Sequence, residues 1–522
     1  NSMSFGNGTV TLLRTPTITV TNNTLTIDGN ISGAFGLTKS GAGTLLLGGT
    51  NAYTGTTTLS NGKTILDFTQ ATAPANDILS SSSALSIGAG ATLNILGSTT
   101  NSQTVTGLTL TGGANINLTK GSGTLTLNLG NITRNPGSAL LLTSTNPANF
   151  GNGSNVTTST GADQAMLTDP NTGVPYVIIN ENDFGAKNGS LIVPYSTLQA
   201  YTVANVTNGS LGVSNGNTDI PSSLSPMTVT SNYSLNTLRF NTQYSNAGSN
   251  VINLNSVLAL NALLVTNALG GNVTTGNVTI QGTGSLMAGN PGGALLIATY
   301  ANNVTTINVN ITDDISASNL TLFGTGSLDL GGINTLTGNI YAAGGSLILD
   351  AAGGLSSSRA AQNATLNVSN QGGAFLFGPT ITNATIGGLA GPGSINLVNS
   401  NLTTPSPVTL YFGPPAGVSD VFSGSISGGG GLVINGPGKQ TLSGASNFTG
   451  GVTLNGGTLA IGNAAALGTG TFTINFGDID STTGSTTLAN IPIVLNTSLI
   501  NFDGTGNLSL GGGSLTFGSQ DF

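Results

Sequence analysis

The chain contains no cysteine, no histidine and no tryptophan, and Asp, Glu, Lys and Arg together make up only 5% of its 522 residues. Each shortage excludes something. Without Cys there is no disulfide scaffold and no thiolate metal site. Without His or Cys the Ser-His-Asp and Cys-His arrangements of nucleophilic catalysis are impossible, as are imidazole-based metal sites. The nine basic residues run from Arg14 to Lys439 without forming a cluster, so nucleic acid is not an expected partner. No window approaches the ~18 continuous apolar residues of a membrane span, and the N-terminal NSMSFGNGTVTLL lacks a basic region followed by an apolar run. With no His and a single Glu, Glu181, few groups change charge between neutral and mildly acidic pH.

What is abundant is glycine, at 80 residues, together with Thr, Val, Ile and Leu. That mixture argues for a folded chain, since disordered segments are rich in charge and poor in β-branched residues. The local pattern has period two: Thr17-Ile18-Thr19-Val20-Thr21 and Thr124-Leu125-Thr126-Leu127-Asn128-Leu129 alternate apolar with small polar residues. In a strand this sends Ile, Val and Leu inward and Thr or Asn outward. Gly-Gly, Asn-Gly and Ser-Gly pairs punctuate these runs as turns. Helical periodicity is confined to weak signals at 361–367 and 463–467, so the expected fold is all β.

An internal repeat selects among all-β architectures. Residues 41–66 read GAGTLLLGGTNAYTGTTTLSNGKTIL, and residues 436–461 read GPGKQTLSGASNFTGGVTLNGGTLAI. With the copies aligned, Gly41 falls on Gly436, Leu47 on Leu442, Gly49 on Gly444, Tyr53 on Phe448 and Thr58-Leu59 on Thr453-Leu454. One such unit holds too few apolar residues to bury a core alone and needs a copy above and below, which is the logic of a solenoid. The aromatic pair, Tyr53 and Phe448, is expected to pack the coil corner.

The phrase G-x-G-T-L-x-L-x-G-x-N-x-Y-T-G, followed by T-T-x-L and N-G, resembles the autotransporter-associated β-strand repeat, also called the passenger-associated transport repeat. The first copy, 36–66, matches closely, including Lys39 and the NAYTG corner; the second, 431–461, has Gln440 where the pattern takes Leu. The resemblance implies a right-handed parallel β-helix exported beyond the outer membrane of a Gram-negative-type bacterium. No C-terminal translocator barrel follows, which leaves a processed or excised passenger, or another export route.

Three regions are expected: solenoid coils in 1–145, an irregular and relatively charged insertion in 146–231, and further coils in 232–522. The middle region concentrates Pro147, Pro170, Pro175, Pro194, Pro221 and Pro226 with Glu181 and several Asp. It is the expected place for specific contacts, because irregular segments on rigid scaffolds carry recognition. The alternative is a few irregular coils.

Chemistry is sparse. Asp478 and Asp480 project from one strand face, and Asp313-Asp314 would split across two. Neither pair has a basic neighbour in sequence, and scattered Asp residues commonly form turns. No catalytic, cofactor-binding or metal-ligating residue is therefore assigned, and no cofactor is expected. The leading expectation is an extracellular structural protein that assembles with copies of itself, end to end, into a surface filament or matrix. Its surface would be poor in charge and poorly self-repelling. The alternatives are a monomeric adhesin stalk that binds a host cell or glycan, and a polysaccharide-processing β-helix enzyme. Coils of ~20–25 residues at ~4.8 Å each predict a single rod on the order of 100–120 Å.

Overall fold

The computed structural model describes residues 2–518 apart from 89, 206, 222–225, 242–249, 270–275, 290–292, 369–371, 483, 498–499, 503 and 505. It is an all-β parallel solenoid of about 21 turns. The alternation in the sequence maps directly onto it: Ala91–Leu96 and Leu37–Ser40 each place every second residue inward. Coils stack in parallel register, interrupted by shifts in Gly216–Ile220, Ser357–Asn367 and Val452–Ile461. Thr24 lies beside Thr44 and Thr44 beside Lys63, steps of 20 and 19 residues, and longer coils step by 26, as from Gly113 to Ala139. The stretch 361–367 belongs to the strand Ser357–Asn367, and 463–467 is a turn; Ala-rich composition there is overridden by pairing with flanking coils.

The two repeat copies are the same coil. Strands Leu37–Ser40, Thr44–Leu47 and Thr57–Leu59 correspond to Leu432–Ile434, Lys439–Leu442 and the start of Val452–Ile461. Tyr53 and Phe448 are both fully buried. The corners also share one polar bond. Ile31 N–H donates to Asn51 Oδ1 at 3.1 Å, and Ile426 N–H donates to Ser446 Oγ at 3.1 Å. Asn51 does more than Ser446, since its Nδ2 also donates to the carbonyls of Gly49 and Ile78. Gln440 fills its Leu position by using both ends of its amide: Leu389 N–H donates to Oε1, and Nε2 donates to the Leu389 carbonyl. Inward Lys39 is capped in the same spirit by the carbonyls of Ser40, Gly41 and Asn61.

The coils do not form one rod. A first stack is built on three faces. One contains the parallel series from Met3–Ser4 to Val177–Ile179, the second runs from Thr17–Thr19 to Asn131–Arg134, and the third holds Asn101–Thr104, Leu125–Asn128 and Ser154–Thr157. This stack is closed by an antiparallel hairpin, Asp183–Asn188 and Leu191–Pro194. One hairpin strand pairs with Val177–Ile179 and the other with Ser154–Thr157, so the hairpin seals two faces at once. Asn180 and Glu181 enter it with φ of 50° and 60°, the left-handed pair that tight hairpin turns use. The residues around Pro147–Pro194 thus finish the first stack. A second begins at Thr202–Val203 and continues in a sheet that has 20 strands among the described residues.

The second stack runs back along the first. Arg239 meets Asp183, Gly137 lies against the ring of Tyr341, Gly372 meets Gly90, and Asn61 and Asn396 border one recess. A Cβ on Gly372 would sit 2.7 Å from the Gly90 Cα, so the backbones touch where neither residue carries a side chain. Strands at the seam are apolar on both sides. In Ala139–Ser144, Leu140 and Leu142 enter the first core while Ala139 and Leu141 face the seam. In Ala294–Thr299, Leu295 and Ile297 enter the second core while Leu296 and Ala298 face the seam. Such two-sided burial is what makes a parallel strand read as a continuous apolar run.

Two outcomes follow. Leu264, fully buried in the seam, changed to Asp places a charge there without touching either coil interior. Hydrogen exchange should then accelerate in Ala139–Ser144 and Ala294–Thr299, while far-UV circular dichroism stays β-rich. Asn51→Ala strips three buried bonds and should cost about 2–4 kcal/mol, whereas Ser446→Ala should cost about 1 kcal/mol; denaturant titration checks the order.

Candidate functional site

Two features lie where the stacks meet: a charged clamp and an open cleft. The clamp centres on Arg239, 5% exposed in Tyr233–Phe240. Its Nε and Nη2 grip Asp219 at 2.6 and 2.7 Å, and Nη1 donates to the Asn182 carbonyl at 3.1 Å and pairs with Asp183 Oδ1 at 3.2 Å. The guanidinium lies 3.7 Å from the ring centroid of Tyr201, whose hydroxyl donates to Asp183 Oδ1 at 2.7 Å. Burial pushes the Tyr201 phenol well above its usual range, and the Asp183 carboxylate pushes the same way, so Tyr201 stays a donor. Asp183 also accepts from Ser196 N–H at 3.0 Å. Arg239 and Asp219 belong to the second stack, Asp183 to the closing hairpin and Tyr201 to the connection. The clamp therefore ties all three parts together with a planar, bidentate cation. A second buried pair, Arg134 with Asp169 at 3.1 Å, braces the preceding coil beneath Tyr176.

The cleft, about 570 Å³, opens between the stacks. One wall is the outer face of the first stack, with Thr92, Asn115, Asn117 and Thr143 at outward positions of successive strands. The other is glycine-rich, around Gly324, Gly344 and Gly345, with Ser346. Glu181, Tyr300 and Phe323 also line it. The Tyr300 and Phe323 rings pack edge to face with centroids 6.4 Å apart. Burial raises the Glu181 carboxyl above its ordinary value, against a hydrogen bond with the Asn267 side chain. Tyr300 is fully buried, its phenol raised by burial and then by Glu181, and its hydroxyl meets no partner among the described residues.

The carboxylates singled out by sequence do other work. Asp480 is buried and pairs with the Lys439 ammonium, brought in from a coil two turns away, while Asp478 accepts from Asn501 Nδ2 at 3.0 Å. Asp313 lies past the end of Asn310–Thr312 and ties a corner, accepting from Thr337 N–H and Oγ1 and from Ser318 N–H. Sequence reasoning missed Asp329. Burial, reinforced by the nearby Asp350 carboxylate, pushes its carboxyl up to about 7, and its Oδ1 is buried without a partner among the described residues. It also missed the cleft, although Glu181 stood out as the single Glu.

Comparison with known proteins agrees with the repeat geometry. The model of the family described as Passenger-associated-transport-repeat matches residues 37–65 and 432–461. The chain carries two passenger-associated transport repeats. Over 308 residues it is 32% identical to a protein named Adhesin BmaC autotransporter, of Brucella suis biovar 1 (strain 1330). That match takes in 56% of this chain and 8% of the relative, so the chain corresponds to a small part of a much longer protein. No solved structure matches. The passenger-repeat coils thus sit one in each stack, the first among the early coils and the second beyond the residues that face the seam.

Two measurements test these sites. Arg239→Met leaves Asp183 and Asp219 without their cation and should destabilise by about 3–5 kcal/mol, read by denaturant titration. For Asp329, folding favours the protonated form, so its contribution is present below the unfolded value near 3.8 and is lost as pH rises through about 7. Asp329→Asn should therefore raise Tm by about 1–3 °C at pH 8 and leave it unchanged at pH 4.

Proposed function

We propose that this chain is a rigid, non-enzymatic shaft segment of an extracellular adhesin, displayed on a bacterial surface. The observation that carries the reading is the 32% identity over 308 residues to an autotransporter adhesin, on a chain with two passenger-associated transport repeats. The architecture supports it physically. A stack braced against a second stack through a two-sided apolar seam resists bending better than a single column of coils, and a shaft must transmit force without unfolding. Asp313 ties a corner and Asp480 sits in an ion pair, roles that support a structural rather than an enzymatic purpose.

A second reading keeps copies of the chain as partners, assembled end to end or side by side into a filament. The observation in its favour is the charge density, 9 basic and 17 acidic residues in 522, which gives copies little to repel one another with. A ladder of exposed and half-buried amides, Asn435–Asn455–Asn475–Asn496, in which each donates to the previous one at 2.7–2.8 Å, is an example of such a surface satisfying itself by stacking.

One experiment separates the readings. The purified chain is sedimented across a concentration series, imaged by electron microscopy and tested for binding to cultured host cells. The adhesin reading expects a monomer that binds cells. Filaments at micromolar concentration without cell binding would replace it with the homopolymer.

A further inference from the structure

We infer that the cleft between the stacks binds a short, uncharged oligosaccharide. The inference rests on the surface-adhesin reading and names where, and by what chemistry, a ligand is held.

Composition of the walls selects the ligand class. Asn115 and Asn117 present side-chain amides that donate and accept, and Thr92, Thr143 and Ser346 add hydroxyls that do both. Thr143 Oγ1 donates to Asn117 Oδ1 at 3.0 Å, which orients that amide with its NH₂ available. Among the described residues no Lys or Arg lines the cleft, so a phosphate, sulfate or carboxylate ligand would find no cation there. Glu181 is the single acidic group among the described lining residues, so a polycation is equally unsupported. A ligand that matches alternating donors and acceptors without charge is a polyol.

The floor makes the second argument. A buried phenol without a partner is expensive, at about 1–3 kcal/mol. Tyr300 is 0% exposed and lines the cleft, and its hydroxyl meets no acceptor or donor among the described residues. A ligand hydroxyl seated beside Glu181 satisfies it. The rings of Tyr300 and Phe323 pack edge to face within the apolar seam, which holds the phenol in one place beside Glu181. The volume, about 570 Å³, falls within the range of roughly 300–1,000 Å³ typical of small-ligand clefts. The opposite wall is Gly324, Gly344 and Gly345, where the backbones of neighbouring coils lie too close for side chains. A Cβ on Gly345 would sit 2.0 Å from the Gly326 carbonyl, so only glycine fits at that place in the wall.

The test titrates cellotriose, maltotriose and chitotriose into the full chain by calorimetry. At least one is expected to bind, with affinity falling about tenfold in Tyr300→Phe and in Asn115→Ala, and abolished in Ser346→Trp, which fills the cleft from an outward position. Unchanged melting of each variant shows that the fold survives; should Tyr300→Phe melt early, Asn115→Ala and Ser346→Trp decide. Failure of all three sugars to bind, or binding indifferent to the three substitutions, overturns the inference. Cell adhesion is measured beside it. Adhesion by wild type that Ser346→Trp retains in full sinks the cleft and leaves the adhesin reading standing. Sugar binding by a chain that adheres to nothing does the reverse.

Discussion

A strand in a parallel stack finds partners for its backbone only in the coils above and below, and so every coil constrains the next. The register steps of 20 and 19 residues around the first repeat, and of 26 later, show that corners lengthen freely while the strands stay aligned. What corners must supply is satisfaction of the N–H and C=O groups that leave the ladder. Asn51, Ser446 and Gln440 meet that demand with inward polar side chains, and Lys39 does so with three carbonyls. A chain with 5% charged residues can hold together in this way because nearly all of its polar work is neutral hydrogen bonding.

The same constraint explains the doubling back. A stack must either continue or be closed, and the hairpin Asp183–Asn188 and Leu191–Pro194 closes the first by reversing strand direction against two faces. Reversal brings the connection to the outer face of the sheet just completed. There the clamp on Arg239 fixes the angle and the apolar seam fixes the depth. The cleft is the remainder of that contact, where the facing surfaces turn from leucine and alanine to asparagine, threonine and glycine.

Much of this was legible in the sequence. Period-two alternation and the repeated phrase identified an all-β solenoid, and the recurrence of an aromatic at Tyr53 and Phe448 marked a buried corner. The seam was written there as well, in the runs Ala139-Leu140-Leu141-Leu142, Val177-Ile178-Ile179 and Ala294-Leu295-Leu296-Ile297-Ala298, which break the alternation because both faces are covered. Those runs say that something covers the strand without saying what. The clamp and the cleft were not readable, since Asp183 meets Arg239 and Glu181 approaches Tyr300 only after two stacks have formed and docked. Likewise the raised carboxyl of Asp329 depends on a neighbour one coil away and on burial, neither of which a local pattern encodes.

The account depends most on the antiparallel packing of the stacks, because the clamp, the cleft and the stiffness of the shaft all follow from it. The absence of native cysteine makes a direct test simple. Cysteines placed at the exposed positions Asn61 and Asn396 can be spin-labelled and their separation measured by pulsed electron resonance. Both residues border one recess, so the packed stacks predict a single distance on the order of 10–20 Å, one to two sheet-packing spacings. A continuous column would separate them by roughly a dozen coils, on the order of 60 Å, and that result would contradict the account.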